Sequence, residues 1–173
     1  MTLPLETVRL LTKQLDEAGI RYASGGSGLL YSLGLIDQVH DWDLTTDAPL
    51  DDVTAALQGW SWTQSSSGDH PFASSYRIQV TDQQLPIDMI GQFAIHSENG
   101  ICRLPTVPSF EWQGILMGSP EVWAVSYALM NRIAKSDKLF AYLKQHQADR
   151  NALHLLLAEP LPAYLSAKLL ALL

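Results

Sequence analysis

The chain has 173 residues, which is the size of one domain or of one domain with a small appendage, and this length argues against two full domains. A hydrophobic fraction of 47% and a charged fraction of 17% are ordinary for globular proteins and argue against general disorder and against a fibrous repeat. The formal net charge of −7 and the lack of any run of lysine or arginine argue against nucleic acid as an obligate partner. A small anionic substrate carried by a metal ion is compatible with this charge.

The cellular location is predicted from features that the sequence lacks. The opening segment "MTLPLETVRL" has no basic stretch followed by an apolar stretch and a cleavage site, and the single cysteine, Cys102, has no partner for an internal disulfide. No segment reaches the run of about 18 apolar residues that a membrane-spanning helix needs. We therefore expect a cytoplasmic protein without a membrane span.

The first part of the chain is predicted to run helix, strand, helix. Leucine and valine recur at helical spacing over residues 5–19, and Gly19 follows as a stop. A short strand is expected over residues 20–24. The segment 25–27 then turns the chain into a second helix, which Gly34 ends.

Strands and turns are predicted for the middle of the chain. The segment "DWDLTTD" has the pattern of a strand, and "LDDVTAALQGW" has that of a third helix. Three further strands are predicted at "WSWTQSS", "FASSYRIQVTD" and "LPIDMIGQFAI", with hairpin connections at "SGDHP" and "DQQ". Asn99-Gly100 is a suitable pair for a type I′ turn, and "EWQGILMG" is expected to add a last short strand.

From Ser119 onward the hydrophobic period becomes helical. Ser119 is a candidate N-cap ahead of Pro120, and the remaining sequence supports three or four helices. We therefore predict an α/β (α+β) fold, with a mixed sheet of about five strands, helices on one side and a C-terminal helical segment. The predicted boundary divides the chain into residues 1–118 and 119–173, with the second part packed on the first.

Three aspartates are candidate metal ligands. Because alternate residues of a strand point to the same face, Asp41 and Asp43 would present both carboxylates to one side. Two like charges on an apolar strand repel each other and are costly unless a cation neutralises them. Asp88 has apolar neighbours in a later strand and would join them if the two strands are adjacent. Three carboxylates are enough to hold the two metals used in phosphoryl transfer, and Mg²⁺ suits such ligands.

The glycine turn is a candidate phosphate site. Gly25 and Gly26 allow the backbone to approach a phosphate closely, and the amides at the start of the following helix favour an anion. The hydroxyl of Ser27 adds a donor, although this serine has an equally good interpretation as a helix N-cap.

These motifs together carry a resemblance to a known family. "GGSGLLYSLGLIDQVHDWDLTTD" followed by "YRIQVTDQQLPIDMIG" resembles the DNA polymerase β-like nucleotidyltransferase superfamily, whose pattern is a glycine turn, an acid-x-acid strand and a later third acid between apolar residues. The resemblance covers about residues 5–95 and is closest to small bacterial members of the antibiotic-modifying or toxin-antitoxin-associated type. It implies the nucleotidyltransferase fold, a nucleoside triphosphate as substrate and Mg²⁺ or Mn²⁺ as cofactor.

The resemblance also implies roles for the candidate residues. Asp41 and Asp43 would ligate metal, and Asp88 would ligate the catalytic metal and is a candidate to deprotonate the acceptor hydroxyl. Gly26 and Ser27 would hold the triphosphate.

Two cationic side chains have open assignments. Lys135 would either reach a phosphate or belong to a solvated helix face, and Arg77 would pair either with a phosphate or with Asp88.

The predicted activity is transfer of a nucleotidyl group from a nucleoside triphosphate to an unidentified acceptor, in a cleft between the sheet and the helical segment. One alternative is an inactive binding module of the same fold, favoured by Asp37 and Val39, which stand where many small relatives have arginine and threonine. Another is a metal-dependent phosphohydrolase, which has less need of a triphosphate cradle. A homodimer or a protein partner is compatible with these readings.

Overall fold

The computed structural model of the protein describes residues 3–82 and 84–173. Met1, Thr2 and Gln83 lie outside the described residues, and so does the central part of the predicted "DQQ" connection. The helices are α1 (Glu6–Glu17), α2 (Gly26–Ser32), α3 (Leu50–Ala56), α4 (Pro120–Leu129), α5 (Ile133–His146), α6 (Arg150–Leu157) and α7 (Ala163–Leu170). The strands are β1 (Ala23–Gly25), β2 (Trp42–Thr46), β3 (Trp62–Ser65), β4 (Tyr76–Val80), β5 (Ile87–Gly91), β6 (Ala94–Ser97), β7 (Gly100–Arg103), β8 (Pro108–Trp112) and β9 (Ile115–Gly118).

The main sheet is mixed and has seven strands in the order β3-β4-β5-β2-β1-β9-β8. The β1/β9 and β2/β5 pairs are parallel, and the other neighbours are antiparallel. Strands β6 and β7 form a separate two-stranded sheet. The predicted mixed α/β architecture is confirmed, and the hairpin predicted between β3 and β4 is present.

Helices α2 and α4 lie on opposite faces of the sheet near its centre. Gly28 of α2 faces Trp42, because a β-carbon at this glycine would come within 2.9 Å of the indole ring. Gly25, at the end of β1, faces the indole of Trp123 in α4. Since Gly25 and Asp43 are paired residues of neighbouring strands, α4 covers the face that carries Asp43. A cleft therefore lies between this face and the C-terminal helices.

The ends of the helices follow the sequence closely. Gly19 and Gly34 have φ values of 74° and 73°, a conformation that glycine adopts without cost and that stops α1 and α2. Ser119 is the N-cap of α4, since its Oγ accepts a hydrogen bond from the Val122 N–H at 3.1 Å. Over the described residues, no helix is both long enough and apolar enough to cross a membrane.

The segment "LPIDMIGQFAI" forms two strands, whereas one was predicted. Gln92 has a φ of 54°, outside the extended region, and its N–H donates to the Thr46 carbonyl at 2.8 Å. This change of direction ends β5 and sends β6 into the smaller sheet.

The β6–β7 hairpin is held by the connection between α6 and α7. The Ser97 hydroxyl donates to the Pro160 carbonyl at 2.6 Å, and the Asn99 side-chain amide donates to the Leu161 carbonyl at 2.9 Å. The prediction of a type I′ turn at Asn99-Gly100 is wrong. Ser97 pairs with Gly100, so Glu98 and Asn99 are the central turn residues, and neither has the positive φ that this turn type requires.

The predicted last strand is a hairpin of β8 and β9. Its central residues, Gln113 and Gly114, have φ values of 50° and 80°, so both are in the positive-φ region used by type I′ turns. Pro108 begins β8, which is an edge strand of the sheet, and proline is tolerated there although it has no N–H to donate. The additional strand β8 is one reason why the sheet has more strands than predicted.

One hydrophobic core contains side chains of the sheet and of the C-terminal helices, among them Leu44 of β2 and Leu153 of α6. The last strand ends at Gly118 and α4 begins at Pro120. The division into residues 1–118 and 119–173 as two units stays a prediction.

Candidate active site

Three carboxylates meet in the cleft because β2 and β5 are neighbouring parallel strands. Asp43 and Asp88 are paired residues in this register, and Asp41 immediately precedes β2. One carboxylate oxygen from each residue lies within 4.8 Å of the other two. The structure therefore brings together the three acids that the sequence singles out.

Asp43 has a strongly perturbed acidity. Burial, followed by repulsion from the carboxylates of Asp41 and Asp88, raises the pKa of Asp43 to about 7, although Arg77 and Arg132 oppose this rise. The carboxylate form of Asp43 is thus unfavourable in the protein alone, and a bound cation would remove the repulsion.

Asp88 has one satisfied oxygen and one unsatisfied oxygen. Its side chain is buried, and Oδ2 accepts a hydrogen bond from Nη2 of Arg77 at 2.8 Å. Oδ1 is buried and has no hydrogen-bond partner among the described residues, which is costly for a carboxylate. A divalent cation would satisfy Oδ1 and would neutralise Asp41 and Asp43 as well. The residues present therefore fit Mg²⁺ or Mn²⁺, which prefer carboxylate oxygens.

The two glycines of the turn are required by packing. Gly26 has a φ of 57°, and a β-carbon at this position would overlap Oδ2 of Asp43. A β-carbon at Gly25 would overlap the indole of Trp123. The phosphate-binding role assigned to both glycines from the sequence stays a prediction.

Ser27 does not cap α2. The N-cap is Gly25, the helix begins at Gly26, and no described side chain makes a capping hydrogen bond at this end. The N-cap interpretation of Ser27 is therefore wrong, and the Ser27 side chain lies at the wall of the cleft.

The cleft contains a cavity of about 290 Å³. Of the residues singled out in the sequence, the three acids, Ser27, Arg77 and Lys135 line it, whereas Gly25 and Gly26 are not among its lining residues. Sequence reasoning missed the other lining residues, which are Ser67, Gly68, Phe72, Ser74, Ile90, Phe93, Trp123, Tyr127, Met130 and Arg132.

Two of the missed residues bring polar groups to the cavity. Tyr127 is 2% exposed, and burial together with the charges of Asp43 and Asp41 raises the pKa of its hydroxyl, while Arg132 opposes the rise. Its hydroxyl therefore keeps its proton at neutral pH. Arg132 is the residue before α5, and Nζ of Lys135 lies 5.3 Å from the centre of the Tyr127 ring. The signal that could have found Arg132 is its spacing of one helical turn from Lys135.

The structure is similar to two proteins of one fold. TM1012 from Thermotoga maritima, a proposed nucleotidyltransferase, aligns with a TM-score of 0.56 and 18% identity over 83% of this chain and 96% of that chain. ANT(2'')-Ia in complex with adenylyl-2''-tobramycin aligns with a TM-score of 0.55 and 13% identity over 87% of this chain and 93% of that chain. The chain has the nucleotidyltransferase fold.

A solution structure of ANT(2'')-Ia, described as an antibiotic-resistance factor, has the same nucleotidyltransferase fold, with a TM-score of 0.51 and 15% identity over 81% of this chain and 86% of that chain. The sequence by itself matches no protein-family model and no curated protein. The nucleotidyltransferase fold that the resemblance implies is thus confirmed.

Proposed function

We propose that the protein transfers a nucleotidyl group from a nucleoside triphosphate to an acceptor, with Mg²⁺ or Mn²⁺ held by Asp41, Asp43 and Asp88. The observation that carries this proposal is the position of three carboxylates within 4.8 Å of one another on a nucleotidyltransferase fold. ANT(2'')-Ia, which shares the fold, has been solved with adenylyl-2''-tobramycin, a compound that carries an adenylyl group.

The reaction requires an acceptor oxygen to form a bond with the α-phosphorus while the bond to the departing pyrophosphate breaks. The divalent cation, when bound, supplies positive charge to the phosphate oxygens and favours ionisation of the attacking hydroxyl. Ser27, Arg132 and Lys135 line the same cavity as the acids and would donate hydrogen bonds to the triphosphate. Tyr127 would act as a donor because its hydroxyl keeps its proton.

The acid substitutions test this assignment. Asp88→Asn should leave triphosphate binding mostly intact, because Asp41 and Asp43 still retain a cation with the nucleotide. Transfer should fall on the order of 10³-fold, because charge is lost where the transition state is stabilised. Asp43→Asn should weaken both binding and transfer. The exposed Asp51, on α3 and outside the cavity, supplies the control Asp51→Asn, for which we expect no change.

The assay follows label from an α-labelled nucleoside triphosphate into small-molecule, protein and RNA acceptors, beside a binding titration of each variant. Release of pyrophosphate with label in the acceptor supports the proposal. Release of orthophosphate would instead indicate a phosphohydrolase. Binding of triphosphate without transfer to any acceptor would indicate an inactive binding module.

A further inference from the structure

Arg77 holds one specific oxygen of Asp88. In the antiparallel pair of β4 and β5, Gln79 lies opposite Asp88, so Arg77 is two residues away on the same face of the sheet. Such diagonal positions are within reach of long side chains. Nη2 of Arg77 lies 2.8 Å from Oδ2 of Asp88, and no ion pair to Asp41 or Asp43 is present in the part of the chain that the structure describes.

The two oxygens of Asp88 are therefore not equivalent. Oδ2 accepts a hydrogen bond from the guanidinium, and Oδ1 is the oxygen that remains for a ligand, since it is buried and has no partner in residues 3–82 and 84–173. A carboxylate held in this way can offer a cation one oxygen. To offer both, it would have to share Oδ2 between the cation and the guanidinium, and because these two positive groups repel each other, the bond to Arg77 disfavours this arrangement.

We propose that Arg77 is a positioning residue that sets the metal selectivity of the site, by restricting Asp88 to ligation through Oδ1. This inference rests on the metal site of the proposed function. Mg²⁺ needs near-octahedral geometry, which suits one oxygen from each carboxylate, whereas Ca²⁺ takes six to eight oxygens and often binds both oxygens of a carboxylate. With Arg77 in place, the site favours Mg²⁺ or Mn²⁺ over Ca²⁺.

The ratio of the Ca²⁺ affinity to the Mg²⁺ affinity separates the positioning of Asp88 by Arg77 from a general effect of the charge of Arg77. Mg²⁺ and Ca²⁺ carry the same charge, so the positive field of Arg77 weakens the binding of both ions. A change in the number of Asp88 oxygens, in contrast, affects Ca²⁺ more than Mg²⁺. Arg132 lines the same cavity and influences Asp43 but makes no ion pair with Asp88, which makes it a matched control.

The experiment is a calorimetric titration of the protein with Mg²⁺, Mn²⁺ and Ca²⁺ in the absence of nucleotide. In Arg77→Gln, the ratio of the Ca²⁺ dissociation constant to the Mg²⁺ dissociation constant should fall about tenfold, within the range that residues behind metal ligands usually produce. Arg132→Gln should tighten the binding of both ions and leave the ratio unchanged. Arg77→Lys keeps a cationic donor and should recover part of the wild-type ratio.

An unchanged ratio in Arg77→Gln, or an equal change in Arg132→Gln, would overturn the inference while leaving the proposed function intact. A wild type that binds none of the three ions would remove the metal site itself and this inference with it. If Arg77→Gln fails to fold, a wild-type structure with Mn²⁺ decides the question. Ligation by Oδ1 alone, with Arg77 still on Oδ2, supports the inference, and ligation by both oxygens or a displaced Arg77 contradicts it.

Discussion

Gly26 and Asp43 lie so close together that the backbone of the turn limits where the carboxylate can be. The positive φ of Gly26 is a feature shared with Gly34, but only Gly26 has a side chain in the space that a β-carbon would fill. At Gly34 no atom of the described chain, apart from Gly34 itself and its immediate neighbours in sequence, lies within 4 Å of that position. The two glycines therefore separate the effect of backbone strain from the effect of contact with Asp43.

We predict that Gly34→Ala lowers the free energy of unfolding by about 1 kcal/mol, the cost of a left-handed conformation for a residue with a β-carbon, and leaves Mn²⁺ affinity unchanged. Gly26→Ala should cost more, because Asp43 must also move, and should weaken Mn²⁺ binding. Urea denaturation and Mn²⁺ titration of both variants provide the measurements. Wild-type Mn²⁺ affinity in Gly26→Ala would show that Asp43 does not depend on this glycine.

At the scale of residues, the sequence predicts the acids better than their surroundings. The convergence of Asp43 with Asp88 follows from strand alternation and from one correct assumption about neighbouring strands. Tyr127 and Arg132 could not be found in this way, because their positions depend on how the C-terminal helices fold over the sheet. The role predicted for Gly26 was also incomplete, because its contact with Asp43 depends on how the turn packs against β2.

At the scale of elements, the turn of the β8–β9 hairpin has type I′ backbone angles, but one of its two central residues is not the preferred type for them. Gln113 occupies a positive-φ position where asparagine is much preferred. Its backbone carbonyl accepts a hydrogen bond from Nε of Arg9 at 2.8 Å, and its side chain accepts a longer, exposed one from the same arginine at 3.2 Å. An asparagine would keep the first of these bonds.

We predict that Gln113→Asn raises the free energy of unfolding by roughly 0.5 kcal/mol, since asparagine tolerates the left-handed region better than glutamine does. Gly114→Ala should instead lower the free energy of unfolding, because Gly114 has a φ of 80° and alanine is strained in that conformation. Both changes are measured by thermal and urea denaturation. A loss of stability in Gln113→Asn would mean that the side-chain contact with Arg9 outweighs the backbone preference.

Helix ends were predictable at this scale, whereas strand ends were not. Gly19 and Gly34 mark the ends of α1 and α2 because a local conformation is enough to stop a helix. The break between β5 and β6 follows Gly91, but the residue with the positive φ is Gln92, which is not typical of such a position. The change of direction is accompanied by the hydrogen bond from Gln92 to Thr46, a residue far away in sequence.

At the scale of the whole molecule, the acid cluster links stability to pH. The pKa of Asp43 is raised from 3.8 to about 7, so between these values the unfolded chain has released a proton that the folded protein still holds. The unfolded state is therefore favoured progressively as the pH rises. Below pH 3.8 the carboxyl is protonated in both states, and above about pH 7 the loss is complete.

We predict that the metal-free protein loses stability between about pH 4 and pH 7, and that Mg²⁺ reverses much of this loss at neutral pH because it binds only the folded state. Asp43→Asn should remove most of the pH dependence and most of the response to Mg²⁺. Urea denaturation across this pH range, with EDTA or with Mg²⁺, measures the pH dependence of stability and its response to Mg²⁺. Equal stability of the wild type with and without Mg²⁺ at neutral pH would contradict the linkage.

The attachment of the β6–β7 hairpin to Pro160 and Leu161 has a consequence for synthesis on the ribosome. Asp41 and the strands that carry Asp43 and Asp88 are made early, and β2 and β5 can pair as soon as β5 has emerged. The carbonyl groups that hold the hairpin are made much later, near the C-terminal end of the described chain. The acid-bearing strands and every residue that lines the cavity are therefore made before the carbonyl groups that anchor the hairpin, so the hairpin contacts are the last of these features that the growing chain can form.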